Sequence, residues 1–272
     1  RRHFMALYVS RIDSQHMDDS APLALTSPTA DSASMVLYTS GTSGQPKGVL
    51  LSQQNLAHFS GWYSQYVELT EHSRVLQFSS LSFDSSLVDL FAALCQGATL
   101  IVPSEEQRRD PHQLVELIQQ RRVSHAFLPP ALLSVLPLDR PLGLEHLLTG
   151  GDICEPHVIA QMAGQCVLHN LYGPTEATVL VSRRRMQADD SNLNLGTPIA
   201  NSQVLILDEQ RRPVEDQVVG ELYIVGPGVS LGYVNLPQQT AECFVRLVLP
   251  GGQALRAYRT GDMAKWTAEG IE

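Results

Sequence analysis

Between Tyr38 and Gly48 the chain reads Tyr-Thr-Ser-Gly-Thr-Ser-Gly-Gln-Pro-Lys-Gly: small hydroxyl residues, two glycines and then a lysine. Glycine lets backbone N–H groups close on an anion, hydroxyl groups add donors, and Lys47 adds positive charge. The ordered run suits phosphate oxygens better than an ordinary flexible loop. It is not the P-loop pattern, because Lys47 does not follow a glycine and no Ser or Thr comes after it. Cys154 and His157 stand at ligand-like spacing, but no second pair completes a zinc site. Four scattered cysteines do not make a disulfide scaffold, and they read as reduced thiols of a cytoplasmic protein. A net charge of -9 argues against nucleic acid as a partner, which leaves Arg183-Arg184-Arg185 as a solvated surface stretch.

The elements that must hold the loop follow from periodicity. The chain has 272 residues, 43% of them hydrophobic and 17% charged, enough to bury a core without metal or disulfide. No apolar run approaches the roughly 18 residues that cross a membrane, and the first five residues lack the order of a secretory leader. From about Met35 to Leu180, short β-rich runs alternate with helical patterns, the signature of parallel α/β units. Met35 to Thr39 reads as a buried strand, and Ser52 as the cap of a helix from Gln53 to Leu69. Strands are expected at Arg74 to Phe78, Ala98 to Val102, Ser124 to Leu128, Leu144 to Leu148 and Val167 to Leu171. Helices are expected from Ser86 to Leu94 and from Pro111. After Arg185, β-like runs at Gln203 to Leu207 and Glu221 to Val225 sit among turn-rich pieces and glycines. The fold class expected is α/β: a mostly parallel sheet with flanking helices over residues 1–182, then a small antiparallel β-barrel-like subdomain over 183–272. Residues 10 to 34, rich in Ser, Asp, Ala and Pro, are expected to wrap the surface.

The loop at Tyr38–Gly48 resembles the phosphate loop of the adenylate-forming enzymes, which include acyl-CoA synthetases, luciferases and the adenylation domains of nonribosomal peptide synthetases. Further resemblances follow in that superfamily's order. Asn170-Leu171-Tyr172-Gly173-Pro174-Thr175-Glu176 is similar to its adenine and magnesium motif. Gly220 to Ile224, Gly226-Pro227-Gly228 and Leu231-Gly232-Tyr233 are similar to the segment after it, and Tyr258-Arg259-Thr260-Gly261-Asp262 to its ribose motif. Ser43 departs from the more usual threonine but keeps the hydroxyl. The resemblance implies ATP and Mg²⁺ as cofactors. Thr39, Ser40, Thr42 and Lys47 would hold the β- and γ-phosphates, within a loop that includes Gly41, Ser43 and Gly44. Thr175 would contact the α-phosphate, and Glu176 would bind Mg²⁺ with the hard carboxylate oxygen that ion prefers. Tyr172, between Asn170 and Gly173, would stack on adenine, Gly150 and Gly151 would line its edge, and Asp262 would accept the ribose hydroxyls. Outside these motifs Tyr172 would read as a core aromatic and Asp262 as a turn residue.

Phe83-Asp84-Ser85-Ser86 resembles the amino-acid-activating branch, in which the aspartate binds the substrate's α-ammonium. Asp84 also stands where it could cap the helix beginning at Ser86. The implied side-chain pocket is Ser85, Val88, Phe127, Leu148, Gly150, Leu171, Val179 and Leu180. It carries no charge beyond Asp84, and a charged substrate side chain would be buried unpaired. The expected substrate is therefore an apolar aliphatic α-amino acid such as leucine or valine, and the expected reaction is amino-acid adenylation within a peptide synthetase. The implied partners are a carrier protein domain with its phosphopantetheine and other synthetase domains; no membrane is expected. The superfamily's first α/β segment, hinge and lysine-bearing C-terminal domain are expected to lie outside this chain, which would leave the fragment incomplete as a catalyst, and Lys265 does not match that lysine. Two other readings stand beside this one: an acyl- or aryl-CoA ligase, which would have no need of Asp84, and a non-catalytic substrate-selecting segment of a larger synthetase.

Overall fold

Ser52 sets the first boundary between strand and helix. Its hydroxyl accepts the Asn55 N–H at 3.2 Å, and the Asn55 carboxamide accepts the Ser52 N–H at 2.8 Å, a reciprocal cap that satisfies two helix-end donors. The computed structural model describes residues 28–40, 45–137, 140–249 and 252–272. Gly41, Thr42, Ser43 and Gly44 lie outside the described residues, as does most of the expected surface wrap at 10–34.

The first half runs β1 (Ala33–Thr39), β2 (Lys47–Ser52), α1 (Gln53–Tyr66), β3 (Arg74–Leu76), α2 (Ser86–Cys95), β4 (Thr99–Ile101) and α3 (Glu105–Arg109). It continues through α4 (Pro111–Gln120), β5 (His125–Phe127), α5 (Pro130–Leu133), β6 (His146–Gly150), α6 (Pro156–Ala163) and β7 (Val167–Tyr172). Asp110 caps α4 through the His112 and Gln113 N–H groups, and Pro111 occupies the first turn, where its missing donor costs nothing. A single 3₁₀ turn, Thr175–Ala177, leads to β8 (Ser182–Arg185), β9 (Thr197–Pro198), β10 (Gln203–Leu207), β11 (Gly220–Val225) and β12 (Gly232–Tyr233). Helix α7 (Pro237–Cys243), β13 (Phe244–Val248), β14 (Ala254–Ala264), β15 (Trp266–Thr267) and β16 (Gly270–Ile271) complete the chain.

Seven strands form the main sheet in the order β4-β3-β5-β6-β7-β8-β9, parallel from β4 to β7 and antiparallel at β8 and β9. The division expected at residue 182 falls within β8, the strand that carries the main sheet into the second half. Both faces of the sheet are covered. Leu147 and Leu148 of β6 are fully buried in different clusters, one with Ile118, Val158 and Met162, the other with Phe59, Tyr63 and Ile224. That is why the parallel strands read as continuous apolar runs. The second half contributes an antiparallel sheet in the order β10-β11-β14-β13.

Two readings of local sequence are corrected. β1 is not a buried strand: it is the edge of a small sheet β1-β2-β12, with only Leu37 buried and Val36 and Tyr38 exposed. Pairing on one side covers a single face, which alternation in so short a run did not reveal. Arg183 to Arg185, expected as a solvated surface stretch, is exposed only at Arg185. Arg184 bonds Asp190 at 2.6 Å and Glu269 at 3.2 Å, and the Arg183 guanidinium lies 5.4 Å from the centre of the Tyr66 ring.

Across β5, β6 and β7 three imidazoles stack face to face. His125 and His146 lie 4.9 Å apart at 5°, His146 and His169 5.2 Å apart at 8°. Their edges are satisfied by Val67 O, Ser124 Oγ, Tyr66 OH and each other. Burial lowers all three pKa values, helped at His146 and His169 by neighbouring imidazoles and arginines, with His169 pushed down to about 3. Between the ordinary imidazole value and about 3, the unfolded chain binds a proton that folded His169 refuses, so acid favours unfolding over that window. The slope is about 1.4 kcal/mol per pH unit per proton. Glu68 and Glu145 oppose the shift at His125 and His146. Buried Asp89, raised to about 7, acts in the opposite sense, because its folded form holds the proton longer. The His169 contribution is therefore isolated by difference: on moving from pH 6.5 to pH 5.5, the parent should lose about 1 kcal/mol more unfolding free energy in urea titrations than His169→Gln.

Candidate functional site

Parallel strands leave their carboxyl ends open to ligands. Here β5 ends at Phe127, β6 at Gly150 and β7 at Tyr172, and two cavities meet over those ends. One is about 570 Å³, the other about 550 Å³, and both are bounded by Gly151, Asp152, Leu171 and Gly173. These are volumes of ordinary small-molecule sites.

The floor between them depends on two glycines. A Cβ on Gly150 would stand 2.2 Å from the Leu171 carbonyl oxygen, and one on Gly173 would stand 2.3 Å from the Leu180 Cα. Neither position tolerates a side chain, because the obstruction is backbone. Beyond Gly173, Thr178 (φ 60°) and Val179 (φ 74°) take consecutive left-handed conformations, each costing on the order of 1 kcal/mol or more. Thr178 Oγ1 donates to Gly228 O at 2.5 Å, and Val181 N–H donates to Tyr172 O at 2.7 Å, which holds the bend. The bend brings Val179 and Leu180 to the wall of the first cavity.

Asp84, Ser85, Phe127, Gly150, Leu171, Val179 and Leu180 all line that cavity, whereas Val88 and Leu148 sit in the core behind it. Helix α2 begins without a side-chain cap, and the Asp84 carboxylate accepts the Thr175 hydroxyl at 2.6 Å. Burial raises the Asp84 pKa, opposed by the Thr175 bond and reinforced by the nearby Glu176 charge. The absence of charge beyond Asp84 is corrected: Arg108 and Asp152 also reach the wall. Arg108 donates to Gln77 Oε1 at 3.2 Å and lies over the Phe78 ring, while its buried Nη1 has no partner among the described residues. It comes from α3, a five-residue helix of charged and polar side chains that reads as plain surface.

The second cavity gathers Asn170, Tyr172, Gly173, Asp262 and Gly151, and with them Lys265, which sequence reasoning set aside. The Tyr172 hydroxyl donates to the Asp262 carboxylate. Burial and that carboxylate both raise the Tyr172 phenol pKa. Asn170 is buried and donates to Asn194 O at 3.1 Å, and Lys265 pairs with Glu272 at 3.3 Å.

The loop expected to hold phosphate is bounded by Thr39, half-buried, and Ser40, exposed, before it and by buried Lys47 after it. Lys47 Nζ lies 4.6 Å from the Tyr233 ring centre, and the Tyr233 hydroxyl donates to Glu176 Oε1 at 2.6 Å. Burial and the Glu176 charge raise the phenols of Tyr233 and Tyr258. Among the described residues no three carboxylate, His or Cys side chains gather as a metal cage. The buried Glu176 carboxylate, with the Thr175 hydroxyl beside it in the chain, fits Mg²⁺ of the kind that completes its shell with phosphate oxygens and water. No helix among the described residues is long and apolar enough to cross a membrane.

The comparisons with known proteins bear on the family and the fold. A family model described as AMP-binding enzyme matches residues 6–234. Bacitracin synthase 3 of Bacillus licheniformis is 36% identical over 252 residues, which is 93% of this chain and 4% of that protein. Among solved structures, holo-PA1221, a nonribosomal peptide synthetase protein containing adenylation and PCP domains, superposes with a TM-score of 0.83 at 29% identity, over 96% of this chain and 47% of that one. The N-terminal subdomain of Klebsiella oxytoca NpsA, in complex with 3-hydroxyanthranilyl-AMSN, gives 0.82 at 28% identity, over 94% and 68%. The chain thus spans a small part of one relative and about half to two thirds of the others. With its motifs, cavities and fold in agreement, the chain belongs to the AMP-binding enzyme family, among the adenylate-forming ligases.

Proposed function

We propose that this chain carries the ATP and amino-acid subsites of a nonribosomal peptide synthetase adenylation domain. The observation that carries the reading is the Asp84–Thr175 hydrogen bond, which ties Asp84 on the wall of the first cavity to the turn that begins beside Pro174, a wall residue of the second. An ammonium group bound at Asp84 fixes the substrate carboxylate near Thr175, within reach of a nucleotide α-phosphate. A carboxylate oxygen then forms a bond to the α-phosphorus while the bond to the β-phosphate oxygen breaks and pyrophosphate leaves with its electron pair. Two anions must approach in line, so the site has to neutralise charge and fix orientation. Lys47, Thr39 and Ser40, with the loop residues Gly41, Thr42, Ser43 and Gly44, hold the terminal phosphates. Tyr172 stacks on adenine, edged by Gly151, Asn170 and Gly173, and Asp262 accepts the ribose hydroxyls. Mg²⁺ bound at Glu176 supplies further neutralisation of phosphate charge. The acyl acceptor downstream is a carrier domain bearing phosphopantetheine, a reading supported by the adenylation and PCP domains present together in PA1221.

The walls given by Phe127, Leu171, Val179 and Leu180 support an apolar aliphatic side chain such as that of leucine or valine. One observation favours a second substrate class: the unpartnered Nη1 of Arg108 suits a side chain ending in a carboxamide or carboxylate. Calorimetry of this chain with non-hydrolysable sulfamoyl analogues of aminoacyl adenylates separates the two. Leucyl or valyl analogues should bind at least about 10-fold tighter than aspartyl, lysyl or arginyl ones, a difference of about 1.4 kcal/mol. Tightest binding of a glutaminyl or glutamyl analogue transfers the assignment to Arg108. Failure of every aminoacyl analogue, with an aryl or acyl analogue bound instead, overturns amino-acid activation.

Asp84→Asn should weaken the preferred aminoacyl analogue about 100-fold and leave ATP affinity within about 3-fold, because only the ammonium loses its counter-charge. The same variant should unfold at higher urea concentration at pH 7, since it removes a carboxylate whose ionised form burial disfavours. Equal weakening of ATP and analogue would place Asp84 in general folding rather than in ammonium recognition.

A further inference from the structure

Lys47 and Glu176 are the two buried charges of the phosphate end, yet among the described residues they do not form an ion pair. A phenol stands between them. Lys47 Nζ sits over the Tyr233 ring at 4.6 Å and 3.4 Å from its hydroxyl, and that hydroxyl donates to Glu176 at 2.6 Å. Three distant stretches of sequence supply the arrangement: β2, the 3₁₀ turn after β7, and β12.

Several contacts fix the ring. β12 pairs with β2 so that Tyr233 opposes Val49, two residues beyond Lys47. The Tyr233 N–H donates to Thr240 Oγ1 at 3.0 Å, and Phe244 packs edge-on against the ring at 5.4 Å. The Ser230 N–H donates to Glu176 O at 2.8 Å, tying the approach to β12 to the same turn. Strand pairing and the Thr240 bond fix the backbone at Tyr233, and Phe244 closes one side of its ring.

We propose that Tyr233 is a positioning residue of the phosphate site: it orients the Glu176 carboxylate for a divalent cation and keeps Lys47 from closing a direct ion pair with it. A buried lysine–carboxylate pair would satisfy both charges internally and set each against its ligand. With the phenol interposed, Lys47 keeps its ammonium on a ring face, a contact readily exchanged for phosphate oxygen. Glu176 meanwhile keeps its orientation through the Tyr233 hydrogen bond, with the Tyr258 phenol as a second partner, as carboxylate ligands of metals commonly do. The inference rests on the reading of Lys47 and Glu176 as phosphate and Mg²⁺ ligands given above.

The test titrates Mg²⁺ against this chain at fixed ATP and follows nucleotide binding by calorimetry, with a parallel series in EDTA. Tyr233→Phe keeps the ring and removes the hydroxyl. It should raise the half-saturating Mg²⁺ concentration about 10-fold and leave ATP affinity in EDTA within about 2-fold. Tyr233→Leu removes the ring as well and should also change ATP affinity in EDTA, since Lys47 is then free to reach Glu176. An unchanged Mg²⁺ midpoint in Tyr233→Phe overturns the proposal. So does equal weakening with and without Mg²⁺, which is the behaviour of a residue that only supports the fold. If parent and Glu176→Gln show the same Mg²⁺ dependence, the assignment of Glu176 itself is wrong, and the role of Tyr233 falls with it.

Discussion

The close approach of backbone to backbone at the carboxyl ends of β6 and β7 is the constraint on which the rest of the site depends. Gly150 meets the Leu171 carbonyl and Gly173 meets Leu180 Cα at distances that exclude any Cβ. Because nothing separates these segments, the first cavity and the second share one floor, bounded by Gly151, Asp152, Leu171 and Gly173. The strained bend at Thr178 and Val179 follows from the same constraint, since the chain must turn back sharply to cover the floor it has just made. Its cost is met by the Thr178–Gly228 and Val181–Tyr172 hydrogen bonds, so a loop of the second half is already committed to shaping a pocket of the first.

Much of this was legible in the sequence because the chemistry is carried by short ordered runs. The turn from Asn170 to Glu176, the run from Tyr258 to Asp262 and the loop ending at Lys47 carry the family resemblance in adjacent letters, and the helix cap at Ser52 and the proline opening α4 follow from local rules. What stayed hidden depends on distant partners. Arg108 reaches the cavity only because β4 lies beside β3 in the sheet, and nothing in the charged run of α3 announces it. Val88 and Leu148 occupy positions that the resemblance assigns to the pocket, yet packing of α2 and β6 turns them into the core. The stacked histidines of β5, β6 and β7 are three isolated letters until the register aligns them.

The described residues also hold buried charge beyond the site. Asp89 is fully buried, accepts the Ser79 N–H at 2.9 Å and titrates near 7, raised chiefly by burial and only partly relieved by that bond and by Arg108. Ser79 and Phe78 belong to the segment that runs along the cavity to Asp84. A carboxyl group with this pKa is a costly way to anchor a loop, and proteins retain such costs mainly near sites where shape matters.

The small sheet β1-β2-β12 carries a consequence for how the protein is made. Thr39 and Lys47, which flank the glycine-rich loop, lie on β1 and β2, but the third strand arrives about 180 residues later, and Tyr233 is then held by α7 and Phe244. On the ribosome the parallel sheet can assemble as its strands emerge, because its neighbours are close in sequence. β1 and β2 set their own register, whereas Tyr233 reaches Lys47 only once residue 233 and the helix after it have left the exit tunnel. Tyr233 therefore meets Lys47 late in synthesis, and the Thr178–Gly228 bond that holds the bend over the first cavity forms only a few residues earlier.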